Sequence, residues 1–291
     1  MSNPSTAFVQ QYKNAITILA QQMDSRLSGC VMVDTDFTGE KKFYEQYASD
    51  TFTEISSRYA DTPLNEPDHR RRMVTPRYFV SATLEDPTDA LQMLVDPKSA
   101  YMQGKQAGAN RKKDDIIISA MGGTAYAGKT GTTSTVFDTD FQIAATYGGG
   151  GSATGMTKIK VLHAKKLLDA AEVDSEDRYA VATAQQFEDL LNTTEVASSD
   201  YNVVKALVQG ELNTWVGFAW KRSERLTTDG SSRRLCYFWQ RKAIQLAIQK
   251  DAEGRIDQRA DKNYAWQVYM RICIGATRLE EERIVEVACA E

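Results

Sequence analysis

The chain has 291 residues, 42% hydrophobic and 25% charged, ordinary proportions for a globular protein long enough to bury a full core. A formal net charge of −4 gives no global basic field for holding nucleic acid. No apolar run approaches the ~20 residues that a membrane helix requires, so no membrane partner is expected. The opening Met1-Ser-Asn-Pro-Ser-Thr6 lacks a basic stretch and a cleavable apolar one, so no leader is expected. Four scattered cysteines, Cys30, Cys236, Cys273 and Cys289, form no Cys-x-x-Cys pair and read as free thiols.

Phe8, Tyr12, Ile16, Leu19 and Met23 fall at helical spacing and predict an amphipathic helix that Gly29 stops. Two strand-like runs follow, Lys41–Ser57 and Met73–Thr83, around a polar tip from Asp61 to Arg72 with two prolines and three successive arginines. Phe43, Tyr47, Phe52 and Ile55 mark the first run, and Val74, Tyr78 and Val80 the second. A hairpin this long, with aromatic and charged residues on both faces, is marginal alone in water. It needs a surface to lie on, and another copy of the chain would supply one.

Asp86-Pro87 and Asp96-Pro97 each set a capping carboxylate before a proline at the first helical position. The first opens a short helix with Ala90, Leu91 and Leu94 inward. The second opens a long one that reaches about Met121 and ends at Gly122-Gly123. Tyr101, Gly104, Ala107 and Gly108 are weakly apolar, Arg111-Lys-Lys-Asp-Asp115 is charged, and only Ile116–Ile118 is strongly apolar, so this helix is expected to lie across a surface. The Gly-, Thr- and Ser-rich stretch from Gly122 to Gly155 reads as irregular or edge-strand structure.

Beyond it the spacing predicts a helix over Thr157–Ala171, a strand over Arg178–Ala182, and a helix capped by Thr183 that carries Phe187, Leu190 and Leu191. Val203–Leu226 begins as helix and ends as strand around Trp215–Trp220. A further helix is expected through Trp239–Lys250. Tyr264–Thr277 alternates cleanly, with Trp266, Val268, Met270, Ile272 and Ile274 on one face, and the chain ends on a strand through Ile284, Val285 and Val287.

Two stretches imitate sites. Gly123-Thr-Ala-Tyr-Ala-Gly-Lys-Thr130 matches the phosphate-binding P-loop pattern, which makes a P-loop nucleotide hydrolase the rival reading. A working P-loop opens a helix at its Lys-Thr pair, whereas Gly131-Thr-Thr-Ser-Thr-Val-Phe137 is a β-branched run opened by glycine, a poor helix start. Asp34 to Glu45 spaces its acidic residues and Gly39 like a calcium loop, but Lys41 takes the usual apolar position and Cys30–Val33 reads as strand, so a turn is expected. His69 and His163 lie near no cysteine or paired carboxylate at ligand spacing. Neither a Gly-x-Ser-x-Gly nor a dinucleotide fingerprint is present. No catalytic residue, metal or cofactor is expected. The Arg70–Arg72 run and Arg111-Lys112-Lys113 are read as solvated or partner-facing patches rather than phosphate contacts.

The order of these elements resembles the major capsid proteins of tailed bacteriophages, whose fold is named after phage Hong Kong 97. Val203–Leu226 is similar to an inner segment of one such family, and Ala243–Ile248, Arg255–Arg259, Ile274–Leu279 and Ile284–Val287 to its C-terminal pattern. Arg71-Arg72 before Val74–Thr83, with Asp86 and Asp96-Pro97 after it, fits the same family. The resemblance implies an α+β fold with an N-terminal arm (1–37), an extended β-hairpin loop (38–86), a peripheral domain (87–178 and 279–291) with a spine helix at about 97–121, and an axial α/β domain (179–278). It implies a non-enzymatic chain that self-assembles as pentamers and hexamers into an icosahedral shell around packaged DNA, located in the virion and, during assembly, in the host cytoplasm. A separate scaffolding protein, a portal and a decoration protein are implied as partners. Phe8, Tyr12, Arg70, Arg71 and Arg72 are the candidate intersubunit contacts. Deleting 58–72 is expected to leave a fold that assembles poorly.

Overall fold

The computed structural model describes residues 19–48, 50–59, 61, 62, 64, 66–85, 98–192, 199–209 and 213–291. The helix expected through Phe8, Tyr12 and Ile16 and the one expected after Asp86 lie outside these residues. Leu19 and Met23 are described, and they sit in irregular chain rather than on a helix.

Helix α1 spans Lys98–Gly122, 25 residues and so about 37 Å. It stops where two glycines meet, with Gly123 N–H donating to the Ser119 carbonyl at 3.0 Å. The helix runs through both of two units into which the chain divides. One comprises Tyr78–Arg111 and Lys250–Ile272 with the described end of the N-terminal segment. The other comprises Ser25–Arg77, Lys112–Gln249 and Cys273–Glu291.

In the first unit, Lys105 of α1 donates to Ser81 Oγ at 3.0 Å and Thr83 Oγ1 at 2.8 Å on strand β4 (Arg77–Glu85). Arg111 holds the Gln21 side chain and the Gln22 carbonyl, and Asn110 holds the Met23 carbonyl. The outer parts of β12 (Ile244–Arg259) and β13 (Ala265–Arg278) turn back through Asn263 and Tyr264, both left-handed at φ 49° and 54°. Glu253 receives Arg271 Nε at 3.0 Å and Nη2 at 2.8 Å across this hairpin.

The second unit holds the main core. A six-stranded mixed sheet has the order β7-β14-β11-β8-β10-β9, where β7 is Gln142–Ile143, β8 Arg178–Ala182, β9 Thr214–Trp215, β10 Phe218–Arg222, β11 Arg234–Gln240 and β14 Ile284–Cys289. Phe218, Phe238, Trp239, Ile284 and Val285 of this sheet are completely buried. Helices α2 (Lys158–Ala170), α3 (Ala184–Asn192) and α4 (Ser199–Gln209) contribute Val161, Leu168, Phe187, Leu190, Val204 and Leu207 to the same core. Thr157 caps α2 by accepting from Lys160 N–H, as its position before the apolar stripe predicts. Strand β1 (Met32–Asp34) lies parallel to the start of β12, Met32 opposite Gln245. A separate antiparallel sheet has the order β2-β3-β5-β6, with β2 Lys42–Tyr47, β3 His69–Val74, β5 Ala125–Ala127 and β6 Thr133–Thr135.

Three expectations are corrected. The segment Trp239–Lys250 is not one helix but the end of β11 and the start of β12, joined by a single 3-10 turn at Arg241–Ala243. Its residues Ala243–Ala247 are buried on both faces, and a continuous apolar run gives no period to choose by. Pairing with β1 settles it. The second hairpin arm is not one strand through Met73–Thr83 but two, β3 and β4, broken at Thr75-Pro76. A Cβ on Gly275 would lie 2.8 Å from the Thr75 carbonyl, so that corner is backed directly by glycine backbone. Helix α1 does not merely cross a surface, because Ile117, Ile118 and Met121 enter the main core.

Buried cations fasten this unit. Lys160, fully buried, donates to the carbonyls of Thr154, Gly155 and Ala288 at 2.7, 3.0 and 3.1 Å. Arg278, also fully buried, donates to the Met121 and Gly123 carbonyls at 2.9 and 2.7 Å and to Thr135 O at 3.4 Å. Its guanidinium lies 4.9 Å from the Phe137 ring centre. Arg278→Leu strips the α1 end of these donors, and leaving buried carbonyls unpaired costs roughly 2–4 kcal/mol. Urea unfolding of the unassembled protein is expected to show that loss with an unchanged slope.

Glu286 sits opposite Tyr237 in the β11–β14 pair. Burial pushes its carboxyl up, outweighing the Tyr237 hydrogen bond and the Arg278 charge. A carboxyl raised in the native state binds its proton more tightly there than in the unfolded chain. Its penalty is therefore absent below the unfolded pKa and grows as pH rises through the folded one. Glu286→Gln is expected to match wild type near pH 4 and to exceed it in stability at about pH 7.5, as read by urea unfolding at the two pH values.

Candidate assembly interface

The most exposed apolar side chains lie on the loop of one hairpin. Strands β2 and β3 pair antiparallel from Lys42 opposite Val74 to Tyr47 opposite His69. Its root is tied to β1. Tyr44 Oη donates to Asp34 Oδ2 at 2.7 Å, and Lys42 Nζ lies 2.5 Å from the same carboxylate. Burial pushes the Asp34 carboxyl up, but these hydrogen bonds outweigh it and hold the group below its usual range. Tyr47 meets His69 edge-to-face at 5.4 Å. His69 therefore opens a strand rather than sitting at a tip.

Between the strands lies the connection 48–68, of which residues 48, 50–59, 61, 62, 64 and 66–68 are described. Phe52 is 103% exposed, Tyr59 91% and Leu64 90%, so these three large side chains stand almost entirely in solvent. Neither Phe52 nor Ile55 is in a strand, since β2 ends at Tyr47. Aromatic and aliphatic side chains held out in this way mark a surface that binds.

The three arginines are not equivalent. They lie in β3, not in the tip, where alternation puts Arg70 and Arg72 on one face and Arg71 on the other. Arg70 and Arg71 are exposed, Arg71 facing Glu45 across the hairpin at 2.7 Å. Arg72 is buried, donating Nε to the Leu279 carbonyl at 3.0 Å and pairing with Glu281 at 3.2 Å. Of the five candidate contacts, Phe8 and Tyr12 lie outside the described residues, Arg70 and Arg71 are exposed, and Arg72 is spent inside the chain.

The two lookalike sites resolve into ordinary turns. Gly123-Thr-Ala-Tyr-Ala-Gly-Lys-Thr130 does not cradle phosphate, because β5 and β6 pair with Ala127 opposite Thr133 and make the segment a hairpin. Gly128, at φ 87°, turns that hairpin, and its carbonyl accepts from Gly131 N–H at 3.2 Å. No helix follows Lys129-Thr130, and Ile116–Ile118, the expected feeding strand, is part of α1. The nucleotide-hydrolase alternative is overturned by that geometry. In the calcium-like stretch, Asp34 is held by Lys42 and Tyr44, and Glu45 by Arg71.

Two functional side chains escaped the sequence reading. Asp114 of α1 is completely buried and accepts from Ser25 Oγ at 2.6 Å, Arg26 N–H at 3.1 Å and Leu27 N–H at 3.2 Å. It fixes Ser25–Leu27, the first residues of the second unit. Its neighbour Asp115 takes Arg225 in a two-pronged pair at 2.5 and 2.6 Å. A signal existed: Asp114 heads the stripe 114, 117, 118, 121, three and four residues from the apolar positions. Arg278 was signalled as well, since it shares strand parity with Ile272 and Ile274 on the apolar face of β13.

These elements, a long helix, a projecting hairpin loop and a C-terminal strand returning into the main sheet, form the Hong Kong 97-like capsid fold. The structure superposes on the capsid of cyanophage P-SCSP1u with a TM-score of 0.73 and 14% identity, over 99% of this chain and 94% of that one. The cyanophage Pam1 capsid gives 0.73 and 14%, over 99% and 98%. The capsid of Ralstonia phage GP4 gives 0.73 and 10%, over 97% and 94%. No match was found among curated protein sequences. The model of the phage capsid protein family matches residues 5–291, and the chain belongs to that family.

Arg72 and its neighbours are expected to separate on substitution. Arg72→Ala lowers the unfolding free energy of the isolated subunit by roughly 1–3 kcal/mol, because Glu281 and the Leu279 carbonyl lose a buried donor. Arg70→Ala and Arg71→Ala leave it within about 0.5 kcal/mol, as exposed charges do. Thermal and urea denaturation of the three variants check this.

Proposed function

We infer that the chain is the major capsid protein of a tailed phage, a non-enzymatic virion component that assembles with copies of itself into the icosahedral shell enclosing the genome. The carrying observation is the loop 48–68, in which Phe52, Ile55, Tyr59 and Leu64 are large apolar side chains exposed to solvent, on a hairpin rooted firmly in its own sheet. Full-length membership of the phage capsid family supports the same reading.

In the shell, residues 38–86 act as an extended loop lying over a neighbouring copy, and residues 1–37 as an arm that reaches another, with Phe8, Tyr12, Arg70 and Arg71 as contacts. Residues 87–178 with 279–291 serve as the peripheral domain and 179–278 as the axial one. Copies group as pentamers and hexamers, assembled in the host cytoplasm with a separate scaffolding protein, a portal and a decoration protein. Packaged DNA is met without sequence preference, which agrees with a net charge of −4. Exposed charges at such contacts set register and rate more than total affinity.

Deletion of 58–72 is the wrong test, because it removes most of β3 together with the buried Arg72. Replacing 50–66 by a short Gly-Ser turn spares the strand pairs from Lys42–Val74 to Tyr47–His69. The shortened protein is expected to keep its near-ultraviolet circular dichroism and form no closed particles by negative-stain electron microscopy. Wild-type-like shells from it contradict the assigned role of the loop.

A further inference from the structure

A cavity of about 460 Å³ opens beside the exposed end of β10, lined by Arg26, Asn213, Lys221 and Arg222 above the rings of Phe187 and Trp220. Among the described residues no carboxylate side chain lines it. Its walls are fixed. Arg222 donates to the Leu207 and Val208 carbonyls at the end of α4, and its guanidinium stacks 4.8 Å from the Phe187 ring. Arg26 Nη1 donates to the Arg222 carbonyl at 2.6 Å, and Asp114 holds the Arg26 backbone from behind. Trp220 Nε1 donates to Trp215 O at 3.2 Å, which sets the indole in place. Lys221 makes no ion pair among the described residues, so its ammonium, together with the remaining Arg26 donors, is available to an anion.

The same chain carries a matching anionic segment. Residues 48–68 hold Asp50, Glu54, Asp61, Glu66 and Asp68 against Arg58 alone, a net charge of −4. Asp61, Glu66 and Asp68 are exposed, beside the exposed Tyr59 and Leu64. One patch offers carboxylates and apolar side chains, and the other offers cations over aromatic rings with no carboxylate among its described residues. We propose that the Arg26–Lys221–Arg222 cavity receives the acidic loop 48–68 of a neighbouring copy. This rests on the shell reading above and names the seat that the loop occupies. The contact is heterologous, the loop of one copy entering the cavity of the next, which is the geometry that closes rings. Its charges are exposed, so they govern encounter rate and respond to salt.

Reciprocal charge reversal in full-length protein tests it. One variant carries Lys221→Glu with its loop intact, and the other carries Asp61→Lys and Glu66→Lys with its cavity intact. Each alone is expected to assemble about tenfold more slowly than wild type by light scattering at low salt. An equimolar mixture is expected to recover most of the wild-type rate, because each loop then meets a complementary cavity on the other variant. Recovery on mixing also shows that the loop comes from a different copy, since docking within one chain leaves both variants defective. The proposal is overturned if either variant assembles like wild type, or if the mixture is as slow as its components. Near-ultraviolet circular dichroism confirms that each variant is folded, and Arg26→Glu replaces Lys221→Glu in the mixture if the latter is not. Wild-type protein that forms no particles under any condition overturns the shell reading itself, a result distinct from wild-type particles with indifferent variants.

Discussion

A buried guanidinium at the end of the long helix is the constraint on which the second unit depends. The last carbonyls of any helix lack intrahelical donors, and when that end is buried water cannot supply them. Arg278 brings the donors from the far end of the chain, contacting Met121, Gly123 and Thr135 together. One side chain thereby joins α1, the β5–β6 hairpin and β13. Glu281 pairs with Arg278 at 3.5 Å and with Arg72 at 3.2 Å, so the hairpin strand β3 is gathered into the same knot. Because β3 carries one end of the 48–68 loop, the strand from which that loop leaves is held by these buried charges.

A second knot fixes the N-terminal segment. Asp114 takes one hydroxyl and two backbone amides from Ser25–Leu27, a set of donors that satisfies a buried carboxylate. Asp115 fixes Arg225 beside it. The charged run in the middle of α1 looks in sequence like a solvated face and works as a rivet.

Locally encoded features were legible. The end of α1 followed from Gly122-Gly123, the α2 cap from Thr157, and β13 from its alternation, since each depends on residues within a few positions. Trp239–Lys250 failed because burial on both faces removes the periodic signal. The split of the second hairpin arm failed because β3 and β4 are both extended and only their partners differ, β2 and β5 for one and β13 for the other. The role of Arg72 was hidden because its partners lie 207 and 209 residues away. The P-loop lookalike misled because a letter pattern states nothing about whether a helix follows.

Lys160 has a consequence of a different kind. Its ammonium is held by three carbonyl dipoles rather than by a carboxylate, deep enough to be fully buried. Mobile ions screen charges that water can reach and scarcely touch those it cannot. The lock between the C-terminal strand and the glycine-rich turn is therefore insensitive to ionic strength, as is the Arg278 cap, whereas the loop charges stand in solvent. Salt therefore acts on the exposed charges of the subunit and scarcely on the buried bonds that hold its own fold.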